Sequence, residues 1–516
     1  MEIEKKAAER VGISYLGVEA PYTTFSAEEL GKAIEQDPDK IKKGLGIRSM
    51  KWPAYSQNNS TMAAQALYAF IQKLEKDPEL KKKFFEEPPR RIFYATESNS
   101  DQSRPDAMSA IRMVCNELMS ESSDNRRYVN VLRGCDVMQV TFACAGAGLS
   151  LGNAFDHVKA NDKSSAIIIS ADTSVYDNAR APNAEATQGS AATIMWVTRN
   201  PKLVALNGDT ISGTANLPVS DFTKFGDHRP LVHGKFSEIM YIYLAAQAFE
   251  SVEDHYAERT GHTILDDTQF MVTHVPFPKQ ALYYNSALFA HYIKLNGNKA
   301  LKDAVAPQSD PANNLMNSVR FTNIVSEIIE KNRGLPEVEF EHAVRSNELL
   351  QEYMNWLRSL RAKPETELFA KSLHIAESLM IPSVTGNSYS SAAVVGLAST
   401  LSNADLETLH RGLVVFYGSG AISKVIPLDI VARELEKNRY MNINVGVGDE
   451  VVYLTAEHYK EMHEMLLMGE AKRVMSDVDL YEKDCKLLGG SDKVPPGFHV
   501  NRYNRDGTSD AFYLRR

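Results

Sequence analysis

Cys144 is the residue in this chain best placed for covalent chemistry. It stands among the small residues Ala143, Ala145, Gly146, Ala147 and Gly148, ahead of the helix-spaced apolar positions Leu149, Leu151, Ala154, Phe155 and Val158. The apolar segment Ala166 to Ile169 then reads as a buried strand. A cysteine where a loop enters a buried helix meets N–H groups without intrahelical partners, and the positive end of the helix dipole favours thiolate over thiol. The small neighbours leave open space beside the sulfur. An activated sulfur with room for an acyl group points to covalent acyl transfer. The competing reading is core filling, since unpaired cysteines are among the most buried residues.

Four further motifs carry groups that could serve such chemistry, and each has a plain structural reading as well. Glu97, in ATES, follows the strand-like IFYAT, where a carboxylate either projects into a cleft or is simply solvated. His274 ends the strand-like MVT and opens HVPFPK, with Lys279 behind it; a lone histidine there is as readily structural. Asn387, in GNSYSSAA, precedes a buried helix, and an N-cap role explains it without function. Tyr417 to Ala421, YGSGA, is a glycine turn whose N–H groups either meet an anion or only reverse the chain.

The elements that must position these groups alternate between strand and helix patterns. VGISYLGVEAPY reads as a strand and turn, and SAEELGKAI as a helix opened by a capping box of Ser26 and Glu29. A helix is expected from Thr61 to Lys76, then RIFYATES, the Cys144 loop and helix, and strands at Ala192 to Val197 and Leu203 to Leu206. The same alternation returns in FMVTHVPF, SAAVVGLASTL and GLVVFYGSGA, which predicts an α/β architecture of two similar halves. Between Lys294 and Lys371 charged helix formers dominate. Leu349, Leu350, Tyr353 and Leu357 share one face there, as expected of a helical insertion covering an edge of the core. The tail is turn-rich and ends in the strand-like DAFYL.

Composition narrows the function classes. At 516 residues the chain needs more than one core unit, and 43% hydrophobic with 24% charged residues is ordinary for a globular protein. No run approaches the roughly 18 apolar residues of a membrane span, and the acidic N-terminus has neither a signal-peptide core nor transit-peptide character. A cytoplasmic location is the expectation. Four cysteines, Cys115, Cys135, Cys144 and Cys485, are too few for a disulfide framework and lack zinc-ligand spacing. Lys plus Arg total 57 against 66 acidic residues, a net charge of −9, which gives no support to a nucleic-acid binder.

Taken in order, the motifs resemble the hydroxymethylglutaryl-CoA (HMG-CoA) synthase family of the thiolase superfamily. The resemblance covers nearly the whole chain: VEAPYTTFSAEELGKAIEQDPDKIKKGLGIRSM, ATES, the Cys144 loop, ADTSVYD from Ala171, ATQGSAA from Ala186 and DF at Asp221. It continues through HRPLVHGKFS from His228, HVPFPK, TGNSYSSAAVVGLAS and FYGSGA. It implies a five-layered α/β/α/β/α fold, with residues 1–200 carrying Glu97 and Cys144. Residues 201–516 would carry His274 and Asn387, with the insertion at about 295–371. It further implies a homodimeric acyltransferase condensing acetyl-CoA with acetoacetyl-CoA in the mevalonate route to isoprenoids. A thiolase would supply acetoacetyl-CoA, and no metal or resident cofactor is needed.

That condensation needs a thioester to hold the acetyl group, a base for its methyl proton and an acid for the new alkoxide. A cysteine suits the first and a carboxylate in an apolar pocket the second and third, while a histidine and backbone N–H groups polarise carbonyls. By resemblance Cys144 is the acetylated nucleophile, Glu97 the general acid/base and His274 the group that orients acetoacetyl-CoA. Asn387 and Ser419 match positions near the acyl chain and thioester, and Lys279 one that meets CoA. Asn183, Thr187 and Tyr176 match or adjoin substrate-cleft positions. Departures stand at Ala145, where the family usually has tyrosine, and at Gly146, Ala147 and Gly148. A basic position is replaced by Tyr283, and the pattern after Asp221 and Phe222 is changed to Thr223, Lys224 and Phe225. These bear on acyl-donor identity more than on reaction type. Two alternatives follow: a β-branching enzyme of similar fold that takes its acyl group from an acyl carrier protein, and a catalytically idle scaffold homologue.

Overall fold

The first strand, β1 (Val11–Glu19), is buried at every position, the signature of a strand covered on both faces. It is the middle of the molecule. A computed structural model describes residues 10–101, 103–173, 175–181, 184–206, 212–224, 229–296, 321–446, 451–467, 480–503 and 509–514. Among them β1 is joined in one large sheet by β2 (Pro89–Ala95), β3 (Asp136–Val140), β4 (Ser165–Asp172), β5 (Ala191–Arg199) and β6 (Val204–Leu206). The remaining members are β7 (Gly213–Asn216), β8 (Phe270–Thr273), β9 (Arg411–Gly418), β10 (Ile422–Ile430) and β11 (Met441–Asn444). The order is β8-β9-β10-β6-β1-β5-β4-β2-β3, with β7 on β10 and β11 on β1. Strands from before residue 200 therefore lie on one side of β1. Those from after it lie on the other side, apart from β11, which pairs parallel to β1 itself.

Register decides where the site forms. β2 runs parallel to β3 and β4, with Ala95 opposite Val140 and Ser170. Across the sheet β8 runs parallel to β9, with Thr273 opposite Val415. Residues just beyond the carboxyl ends of these strands, Glu97, Cys144 and Asp172 on one side and His274 and Ser419 on the other, are thus collected at strand ends, where α/β sheets bind ligands.

Two buried helices fill the interior. Gly146–Ala160 packs on β4, β2 and β5 and also reaches β9; Ala392–Asn403, buried without a break from Ala392 to Leu401, packs on β8, β9 and β1. Burial all round explains why Ala392–Asn403 reads as uniformly apolar. At Gly148 the approach to β9 is so close that an added Cβ would lie 2.3 Å from Cγ of buried Phe416.

The expected elements are present with small shifts. The second long helix begins at Asn59, two residues before the predicted start, because Asn58 and Thr61 form a reciprocal cap. Ser26 caps Ala27–Ala33 through the Glu29 N–H, but the Glu29 carboxylate turns to Lys32 and the Ala456 N–H instead of completing the box. Beyond residues 297–320, which lie outside the described residues, the insertion continues as helices Phe321–Lys331, Glu337–Arg345, Glu348–Leu360 and Pro364–Ser372. They pack on the long helices Gly234–Thr260 and Pro278–Asn296 rather than on a sheet edge, and share a core that includes Phe321, Leu350, Tyr353 and Leu357. Leu349, expected on the same face, is exposed. Among the described residues no helix is long and apolar enough to cross a membrane.

Gly148→Val drives a branched side chain into a ring that has no free volume to move into. It should lower unfolding stability by about 1–3 kcal/mol, read as a lower urea midpoint at unchanged slope; an unchanged midpoint would show that Phe416 can withdraw.

Candidate active site

Asp172, fully buried at the end of β4, organises one wall. Its Oδ1 accepts hydrogen bonds from Thr96 Oγ1 at 2.8 Å, Glu97 N at 2.8 Å, Ser98 N at 3.1 Å and Ser98 Oγ at 2.7 Å. Its Oδ2 accepts from Ser390 N at 2.9 Å. Burial first, then the charge of Glu97, pushes this carboxyl up to about 6. Ser390 in turn donates its hydroxyl to the Ala143 carbonyl at 3.0 Å. The loop bearing Glu97, the loop bearing Cys144 and the segment before Ala392–Asn403 are therefore fixed by one connected set of bonds.

Cys144 follows a turn in which Ala143 takes the left-handed conformation, φ 38°, and Ala145 N donates to Phe142 O at 3.0 Å. Its Sγ donates to Glu97 Oε2 at 3.3 Å and keeps an opening onto the cavity. Burial, followed by the charges of Glu97 and Asp172, raises the thiol well above its ordinary value. The resting sulfur is thus a thiol, not the thiolate expected from the helix end. Burial, with two neighbouring carboxylates added to it, outweighs the half-charge of a helix terminus. The small residues beside it are also used differently from the expectation. An added Cβ on Gly146 would lie 3.0 Å from that of Ala95, and one on Gly418 2.7 Å from Ala145 N, so these positions permit close packing. The open volume lies on the other side of the sulfur.

His274 follows β8, with its N–H on Val415 O at 2.7 Å and its carbonyl accepting from the Tyr241 hydroxyl at 2.9 Å. The ring packs against Tyr241 and Tyr417, and among the described residues Nδ1 has no hydrogen-bond partner. Burial lowers its pKa from 6.5 to about 3, so the imidazole is neutral. The glycine turn after β9 reverses the chain into β10, and its Gly420 N–H is taken by Asp221 Oδ1 at 2.7 Å rather than left for an anion. Asp221 also accepts from the Tyr417 hydroxyl at 3.1 Å, and Ser419 Oγ lies 3.2 Å from Ser237 Oγ.

Asn387 is not a helix cap. Ser391 is the N-cap residue of Ala392–Asn403, while Asn387 Oδ1 accepts from Tyr389 N at 2.9 Å and its own N–H reaches Thr187 O at 3.0 Å. Thr187 is held by Ala184 O through its hydroxyl at 2.7 Å. Tyr176 lies edge-on to Tyr389, with its N–H on Gln188 Oε1 at 2.6 Å.

Glu97, Cys144, Tyr176, Thr187, His274, Asn387 and Ser419 all line one cavity of about 340 Å³. Lys279 lies outside that lining, its Cγ 3.8 Å from where a Cβ would sit on Gly46, beside the wall residue Leu45. Asn183, Phe225 and His228 lie outside the described residues. The cation absent at Tyr283 returns from the insertion, because the Arg361 guanidinium lies 4.5 Å from the Tyr283 ring centroid. Lys224, noticed in the sequence only as a departure, is part of the site: its Nζ donates to Glu97 O at 2.8 Å and lies 3.5 Å from Oε1. Asp172 was visible only as a member of ADTSVYD; nothing local marks it as the residue that holds Glu97. Among the described residues no group of three or more His, Cys, Asp and Glu is arranged to hold a metal.

No protein-family model matches the chain. The hydroxymethylglutaryl-CoA synthase of Haloferax volcanii is 32% identical over 245 residues, 47% of this chain and 49% of that one. That of Enterococcus faecalis is 24% identical over 472 residues, 90% of this chain and 95% of that one. The chain is thus similar in sequence to hydroxymethylglutaryl-CoA synthases, over about half of one relative and most of the other. The match to the archaeal relative spans about half its length, whereas the enterococcal one is nearly complete. Among solved structures, MvaS in complex with 3-hydroxy-3-methylglutaryl coenzyme A shares the fold at TM-score 0.65 and 18% identity, covering 98% of this chain and 100% of that one. The curacin biosynthetic pathway HMG synthase in complex with holo donor-ACP does so at TM-score 0.67 and 16% identity, with the same coverage. The α/β fold expected from the sequence is thus that of the HMG-CoA synthase family.

Because the His274 pKa is depressed in the fold, the folded ring takes up no proton between pH 8 and pH 5, while the unfolded chain does so below about 6.5. Its contribution to stability is complete above that value and declines as pH falls. Ring signals of labelled His274 should stay flat from pH 8 to 5; a titration near 6.5 would contradict a buried neutral imidazole.

Proposed function

We propose that this chain condenses acetyl-CoA with acetoacetyl-CoA, through an acetylated Cys144, to HMG-CoA and free CoA in the mevalonate pathway. The observation that carries this reading is the Cys144 Sγ to Glu97 Oε2 contact of 3.3 Å inside a cavity that His274 also lines. Glu97 takes the thiol proton as sulfur attacks the acetyl carbonyl and returns it to the departing CoA sulfur. A thiolate then exists only while the proton is on Glu97, which suits a thiol whose resting pKa is high. The same carboxylate next removes a methyl proton from acetyl-Cys144, and the resulting carbanion attacks the acetoacetyl ketone. Glu97 then protonates the new alkoxide, and water hydrolyses the Cys144 thioester to release HMG-CoA. The neutral His274 ring offers an N–H to an acetoacetyl oxygen without first losing a proton. Lys224 fixes the Glu97 carboxylate from its other oxygen, and Tyr176, Thr187, Asn387 and Ser419 bound the acyl chain. Lys279, beside Arg361 and Tyr283, would meet the CoA end, and no resident cofactor is called on.

In this reading the chain has two thiolase-like halves meeting near residue 200, as the strand order about β1 supports, and works as a cytoplasmic homodimer fed by a thiolase. Support for pairing is the terminal strand β3, which carries exposed Met138 on an edge that another strand could cover. The alternative, an acyl-carrier-protein donor, is an outcome of the same test.

Intact mass after brief exposure to acetyl-CoA should show an acetyl adduct on Cys144 that disappears as HMG-CoA forms on adding acetoacetyl-CoA. Cys144→Ser should carry none. An adduct from acetylated carrier protein but not from acetyl-CoA would select the β-branching reading, and no adduct from any donor would select the idle scaffold. Glu97→Ala should slow both acylation and condensation by about 10²–10⁴-fold; normal turnover would remove Glu97 from proton transfer.

A further inference from the structure

Gln280 lies in the first turn of Pro278–Asn296, is 2% exposed, and lines the cavity that holds Cys144, Glu97 and His274. Its backbone N–H is satisfied by Phe277 O at 3.0 Å. Its side chain is not: among the described residues neither Nε2 nor Oε1 has a hydrogen-bond partner. A buried primary amide with donor and acceptor both unmet is costly, and an apolar side chain of similar length would fill the space without that cost. The neighbouring wall residues Pro276 and Phe277 are apolar and offer the amide no side-chain partner.

We propose that Gln280 is a specificity-determining residue that reads an amide in the arm of the thioester substrate. Its Nε2 donates to the amide carbonyl, a contact that a plain alkyl thioester cannot make; the N–H of the same trans amide points the opposite way. The inference rests on the thioester reading above and names the part of the substrate it recognises. Secondary amides occur in the pantetheine arm, which is common to CoA and to acyl carrier proteins, so the same contact serves a donor from either source. An arm held at its amide carbonyl is also held in register, which limits where its sulfur-bound acyl group can lie relative to Cys144.

The test is equilibrium binding of pantetheine, and of an alkanethiol of equal length without amides, to the full chain and to Gln280→Leu. The wild type should prefer pantetheine, and the variant should lose about 10–100-fold of pantetheine affinity while binding the alkanethiol as well or better. Its melting temperature should be unchanged or higher, since no paired group is lost. Equal pantetheine affinity in both proteins, equal losses for both ligands, or no pantetheine preference in the wild type would each overturn the proposal. Gln280→Glu, of the same shape but unable to donate when ionised, repeats the comparison if the leucine variant folds poorly, with a loss expected for pantetheine alone. Acylation of Cys144 by acetyl-CoA and by acetylated carrier protein separates the sources; a loss with either in Gln280→Leu supports the contact, and a loss with neither refutes it. The two readings fail separately: pantetheine discrimination without any Cys144 adduct would end the catalytic reading only, and an adduct formed equally by both proteins would end the role of Gln280 only.

Discussion

The geometry of the site depends on one buried carboxylate. Asp172 gathers N–H and O–H donors from Thr96, Glu97, Ser98 and Ser390 at the end of β4. A charged acceptor at such depth is tolerable only because its lone pairs are taken up. Those bonds have a spatial consequence, because they draw a loop from near residue 97 and a segment from near residue 390 to the same point. Through Ser390 Oγ the constraint extends to Ala143, the residue before the nucleophile. Asp221 plays the corresponding part on the opposite wall, holding the Tyr417 hydroxyl and the Gly420 N–H. Neither carboxylate lines the cavity. Each acts by fixing residues that do.

The electrostatics of the site follow from the same burial. Desolvation raises Cys144 and Asp172 and lowers His274, all toward their uncharged forms. Lys224 adds a positive charge against Glu97. The site at rest therefore holds a thiol and a neutral imidazole on either side of a carboxylate bonded to a lysine. This arrangement holds Cys144 in its protonated form with a carboxylate oxygen of Glu97 already in contact.

The insertion, which looks like an appendage in the sequence, reaches the long helix that contributes to the cavity. Glu348–Leu360 packs on Pro278–Asn296, and Arg361 at its end stacks on Tyr283. Gln280 and Lys279 lie in the first turn of that same helix. A loss of charge at one position is thereby matched by a charge from a distant segment.

The sequence by itself determined the alternation of strands and helices, because periodicity and turn chemistry are local. It also marked Cys144, Glu97, His274 and Asn387, since each stands at a strand end or helix entry that such patterns expose. The ordered motifs also carried the resemblance to hydroxymethylglutaryl-CoA synthases that the comparisons support. What only the tertiary structure decided was everything that depends on long-range neighbours. The thiol state of Cys144 is set first by burial and then by the carboxylates of Glu97 and Asp172, not by its own helix. Asn387 looks like a cap until Thr187 and Tyr389 are seen beside it, and Lys224 is an ordinary surface lysine until it meets Glu97. Gln280 reads as one more polar residue on a helix; only the closed wall around it leaves its amide without a partner. Burial and cross-chain pairing are properties of contacts between residues tens to hundreds of positions apart, and no local pattern encodes them.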